Sequence, residues 1–161
     1  MGSSGAVAFA AQFSEGAGPG AWVVGFTTLI CFIIAAIGLG ATSRIYITRS
    51  DWAFFITAIA AIPVWYLTGD PLWSVIIVTV VDTIAFVPTL RKAYLYPETE
   101  SFWNSALATV KFALGVMALE VFTWTTALYP ISLVLVNFAY ALMLILRRRQ
   151  QKKEGLGTKL L

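Results

Sequence analysis

The chain has 161 residues, 59% of them hydrophobic and only 12% charged, with a mean hydropathy of +0.82. That balance leaves too little polar surface for a water-soluble domain of this size and points to a protein whose solvent is lipid. The net charge of +3 and pI near 9.2 do not indicate nucleic acid, because the basic residues gather at the ends of apolar runs instead of forming a patch interleaved with aromatics. With no histidine and a single cysteine, Cys31, the chain offers no His-ligated metal or haem, no His-based triad and no intrachain disulfide. Phosphate-loop, dinucleotide, HExxH and GxSxG patterns are absent, so the chain is read as no enzyme, with no catalytic residue, cofactor or metal site expected.

Residues 1–20 are rich in Gly, Ala and Ser and lack the basic start of a signal peptide, so they are expected to form a tail. Met1-Gly2-Ser3-Ser4-Gly5 resembles a vector-derived scar, and an outward N-terminus without a signal suggests that earlier helices precede it. A bilayer core of about 30 Å needs about 20 helical residues. Five apolar runs meet or approach that length and predict helices at 21–41, 52–67, 71–92, 102–129 and 131–149, together a membrane domain over 21–149. The runs are continuously apolar, without the alternation of a barrel strand, so the fold class is an all-α polytopic helical bundle. Thr68-Gly69-Asp70-Pro71 and Tyr129-Pro130 read as tight turns joining antiparallel neighbours. Residues 150–161 are expected to be a basic, disordered tail.

Ten of the eleven Lys and Arg residues fall on one side of this threading: Arg44 and Arg49, Arg91 and Lys92, and six from Arg147 to Lys159. The positive-inside rule then predicts a cytoplasmic C-terminus and an outward N-terminus, in a membrane read as a bacterial inner or plasma membrane. The basic tail reads as an anchor against anionic lipid. The hairpins from Trp52 to Lys92 and from Trp103 to Arg148 each start on Trp, turn at a proline and stop on basic residues, a weak internal echo.

The eleventh cation, Lys111, lies inside an apolar run, where a charge is expensive. Asp82 lies about 13 Å from its cytoplasmic stop at Arg91, Lys111 about 12 Å beyond Trp103, and Asn137 about 15 Å before Arg147. Three helices therefore bring an acid, a base and an amide to one depth, and these three are the candidate substrate-binding residues. Thr79 and Thr83 share the face of Asp82, and Asn104, Ala108, Gly115 and Ala118 share that of Lys111. The same residues read equally as internal fastening, with Asp82 and Lys111 as an ion pair. Glu120 faces elsewhere, toward a partner or an outer hydrated cavity. Pro63 and Pro88 each remove a helical donor and are candidate hinges.

From Ser74 to Arg149 the order of features resembles the triple-helix bundle of the PQ-loop group, the SWEET and SemiSWEET sugar transporters. The residues that carry the resemblance are Phe86-Val87-Pro88-Thr89-Leu90-Arg91-Lys92, then Gly115-Val116, then Pro130 to Asn137. It implies that Pro88 is a hinge proline and that Asn137 contacts sugar, and that the first two helices are remnants of another bundle and its linker. Thr89 stands where glutamine is expected, Val121 or Trp124 comes closest to the stacking tryptophan, and Asp82 and Lys111 are additions to a neutral sugar pocket. The expected function is a transporter-like bundle for a small polar or charged solute. The alternative is a non-catalytic accessory or structural subunit of a larger membrane complex. Expected partners are the bilayer, a small solute in the first reading, and a homo-oligomer or larger complex through lipid-facing helices.

Overall fold

The structure, a computed structural model, describes residues 2–40 and 49–158. Six α-helices follow one another: α1 (Gly2–Ser14), α2 (Pro19–Gly40), α3 (Arg49–Thr68), α4 (Pro71–Leu95), α5 (Phe102–Met117) and α6 (Trp124–Thr158), with a 3-10 turn at Pro97–Thr99. The described residues form no strand. Three stretches, Pro19–Ile37, Pro71–Leu95 and Trp124–Gln151, are long and apolar enough to cross a membrane. Arg44 and Lys159 lie outside the described residues, as do the side chains of Arg49, Trp52, Lys152 and Lys153.

The α3–α4 hairpin follows from its turn chemistry. Gly69, at φ +67°, takes the left-handed conformation that ends a helix, and its N–H donates to the Trp65 carbonyl at 2.9 Å. Asp70 then caps α4 through Oδ1, which accepts from Leu72 N–H at 2.9 Å, and Pro71 occupies the first helical position, where its missing donor costs nothing.

Two expectations fail, for one connected reason. Residues 1–20 are no tail: α1 inserts among α2, α3, α4 and α6, and its Val7, Ala8 and Ala11 are buried with Val24, Ala61, Val75, Val78 and Tyr129. Small residues permit this approach; a Cβ on Gly5 would overlap the Thr28 hydroxyl. Nor is Tyr129-Pro130 a turn. Pro130 lies within α6, where it deprives the Thr126 carbonyl, four residues earlier, of its helical donor. Gln12 of α1 supplies the replacement, its Nε2 donating to Thr126 O at 2.6 Å in a fully buried position. The helix therefore continues through the proline, and it runs on past residue 150 to Thr158.

The interruption falls earlier, at 118–123, where Thr123 and Thr126 cap each other. Thr123 N–H donates to Thr126 Oγ1 at 2.9 Å, and Thr126 N–H to Thr123 Oγ1 at 3.3 Å, a reciprocal arrangement that starts a new helix. This break pairs with the one between α1 and α2: Gly20 N–H donates to Ala118 O, and Glu120 N–H to Ala17 O, both at 3.1 Å. Gly18, at φ +65°, lies directly beneath the Glu120 side chain, which a Cβ there would meet at 2.5 Å. The two breaks, between α1 and α2 and between α5 and α6, thus lie against each other. Of the two proline-turned hairpins expected, 52–92 forms as α3–α4, whereas 103–148 turns at 118–123 and not at Pro130.

Replacing Gln12 with Leu should destabilise the bundle by about 1–3 kcal/mol, the cost of an orphaned buried carbonyl. In a Pro130→Ala background residue 130 regains an N–H, so the same replacement should cost much less. Unfolding in detergent of both single variants and the double variant measures the difference; equal losses in the two backgrounds would disconnect Gln12 from the proline.

Candidate functional site

The polar residues of the bundle interior meet along the seam between α4 and α6. Asp82, only 4% exposed near the middle of α4, accepts a hydrogen bond at 2.8 Å from the hydroxyl of the equally buried Tyr129 on α6. Beside them lies a cleft lined by Asp82, Thr83, Phe86, Ser132, Val136 and Asn137. Its cavity of about 10 Å³ has room for about one water molecule. The other polar groups of the seam are satisfied within their own helices: Thr79 donates to Val75 O at 2.6 Å, Thr83 to Thr79 O at 2.8 Å, Ser132 to Tyr129 O at 2.7 Å and Asn137 Nδ2 to Leu133 O at 2.8 Å. Such back-bonding is how hydroxyls and amides satisfy their donors in apolar surroundings. It also leaves the Asn137 carbonyl oxygen uncommitted among the described residues.

Two of the three candidate residues, Asp82 and Asn137, therefore share one cleft, and Lys111 does not join them. Its Nζ donates to Thr27 Oγ1 on α2 at 3.0 Å and lies 4.3 Å from the centre of the Phe112 ring. Thr27 in turn donates to Val23 O at 2.6 Å. The expected Asp82–Lys111 ion pair is not formed. Equal depth fixes height in the bundle but not direction, and α5 packs against α2 and α6, with Val23 so close over Gly115 that a Cβ there would meet it at 3.1 Å. Lys111 faces a wide open groove that also holds Asn104, Ala108 and Leu114. Pro63 and Pro88, the expected hinges, lie inside α3 and α4, and both helices continue past them.

A second polar cluster closes the basic end of the bundle. Glu100 pairs with Lys92 at 2.8 Å and accepts from the Tyr140 hydroxyl at 3.0 Å. Arg148 donates through Nε and Nη2 to Pro97 O at 3.1 and 2.9 Å, and through Nη2 to Glu100 O. Arg147 donates from Nε to Tyr94 O at 3.3 Å. The segment after α4 is thereby clasped to α6. The charge count places Lys92, Arg147 and Arg148 at an interface but says nothing of this clasp, because its acceptors are mostly backbone carbonyls. Gln12 was likewise not singled out from sequence; the only signal for its helix is the apolar, small-residue run over 6–11. Among the described residues, no group of three or more His, Cys, Asp or Glu side chains is placed to hold a metal ion.

Hydrogen bonds from Lys92 and then Tyr140 hold the Glu100 carboxyl below its ordinary value of 4.5. A depressed carboxyl contributes stability that is fully present above its unfolded-state value and is lost as pH falls through the folded value. Acid titration of bundle stability should therefore show a loss beginning near pH 4.5 and deepening below it. Glu100→Gln should remove that part of the profile; an unchanged acid limb in the variant would show that the clasp contributes nothing.

Comparison of the chain with protein-family models, with curated proteins and with solved structures returns no match.

Proposed function

We propose that the chain is an integral membrane protein of transporter type, in which the α4–α6 seam binds a small polar or charged solute. The observation that carries this reading is the Asp82 carboxylate, buried midway along a helix long enough to span a membrane and held across the seam by Tyr129. Ionisable groups in such positions mark solute or proton pathways by default. The packing supports it as well. Helix α6 lies against both α4 and α5, and Asn137 faces the same cleft as Asp82. Pro88 lies less than two turns from Asp82 on α4, where a bend would change the width of the seam.

In this reading α3 and α5 complete five crossings, although α5, at 16 residues, spans only about 24 Å. The paired breaks and the Gly69 turn then share the outer face, and the clasp faces the cytoplasm. A second reading, a non-catalytic accessory or structural subunit of a larger membrane complex, is favoured by the size of the cleft, which admits a water but no sugar.

Cysteines introduced at Ser14 and Thr158 should label from opposite faces of sealed vesicles; labelling from one face would overturn the threading. Uptake into proteoliposomes addresses function. Asn137→Ala should slow uptake about three- to tenfold, the worth of one hydrogen bond, with the melting temperature nearly unchanged. If the unaltered protein moves no sugar, amino acid or organic ion, the subunit reading takes its place.

A further inference from the structure

On the α6 side of the clasp, a groove of about 350 Å³ runs along the outside of the bundle. Leu142, Met143 and Leu146 form its wall, Tyr94 flanks it, and Arg147 and Gln150 stand at one end. The wall residues recur at i, i+1 and i+4, one face of a helix, and the basic end of that face is where the apolar span stops. Leu142 and Leu146 are about half exposed, and so is Tyr94. No helix among the described residues covers them.

Arg147 is held in place at the mouth of this groove. Its guanidinium carbon lies 3.9 Å from the centre of the Tyr94 ring, its Nε donates to Tyr94 O and its Nη1 to Gln150 Oε1 at 3.0 Å. Nη2 has no partner among the described residues. A guanidinium stacked on a ring and held through Nε and Nη1 has already lost the rotamer freedom that anion binding would otherwise remove. An ordinary lipid-facing surface does not require this: one needs apolar residues and loosely tethered cations, and here the cation is fixed at the end of a concave apolar track.

We propose that this groove is a specific site for one anionic phospholipid, with an acyl chain along Leu142, Met143 and Leu146 and the phosphodiester on Arg147 Nη2. A phosphodiester oxygen accepts from Nη2, and net charge selects among phospholipids, because the quaternary ammonium of a zwitterionic headgroup would be set beside the Arg147, Arg148 and Arg149 cations, which an anionic headgroup instead neutralises. The groove selects a lipid over free phosphate, because soluble phosphate leaves the apolar wall in contact with whatever fills it otherwise. The site stands independently of the α4–α6 seam and of whether the protein transports anything.

Native mass spectrometry of the full chain, released from detergent with phosphatidylglycerol or phosphatidylcholine, tests the proposal. Phosphatidylglycerol should remain bound as a single retained molecule, and phosphatidylcholine should not. Arg147→Gln should weaken retention about fivefold, as loss of one interfacial cation implies, and Arg149→Gln, two residues further along α6 and exposed, should not. Leu142→Trp fills the groove while leaving the cation intact and should weaken retention equally, so the test survives if Arg147→Gln fails to fold. Equal retention of the two lipids, indifference to both Arg147→Gln and Leu142→Trp, or displacement of the lipid by inorganic phosphate would each overturn it.

Discussion

In apolar surroundings a backbone carbonyl without a donor is among the costliest defects a helix can carry. Pro130 creates that defect at Thr126, deep in the bundle, and Gln12 removes it with a hydrogen bond of 2.6 Å. Much of the architecture is consistent with this single repair. It requires a polar side chain from outside α6, hence a neighbouring helix at close range, hence the small residues of α1. Once α1 is lodged there, Val7, Ala8 and Ala11 fill the space between α2, α3, α4 and α6. It also keeps α6 continuous through the proline, which puts Tyr129 and Asn137 on one rigid element facing α4.

Composition and charge asymmetry made the class of fold legible, because a chain this apolar has few ways to satisfy its backbone. The α3–α4 turn was legible because Gly69, Asp70 and Pro71 each have a local conformational reason for their place. The association of Asp82 with Asn137 was legible in depth alone. What escaped were interactions between residues distant in sequence. Nothing local to Pro130 announces that Gln12 will satisfy its carbonyl, and Thr123 with Thr126 lacks the Glu or Gln that makes a capping box recognisable. Lys111 was misassigned because an acid at equal depth is an inviting partner, whereas the side that α5 presents to α2 is set by Gly20, Val23 and Gly115 fitting together.

The arrangement of charge is instructive in itself. Lys111 rests on a hydroxyl and an aromatic ring, and Asp82 accepts from a phenol. Neither is locked into a salt bridge with the other, and each meets its partner on a different neighbouring helix. At the basic end the design differs. There the cations are spent on carbonyls and on Glu100, which makes the segment after α4 a fixed extension of α6.

The two paired breaks carry a mechanical consequence. The bonds from Gly20 to Ala118 and from Glu120 to Ala17 join the α1–α2 unit to the α5–α6 unit at the breaks, and the Lys111–Thr27 and Gln12–Thr126 bonds join them again. Bonds of both backbone and side chain must break together before one unit can slide along the other. A displacement of either unit is therefore carried to the other, and a change at the Gly18–Glu120 junction reaches the interior through α1 and α6 together.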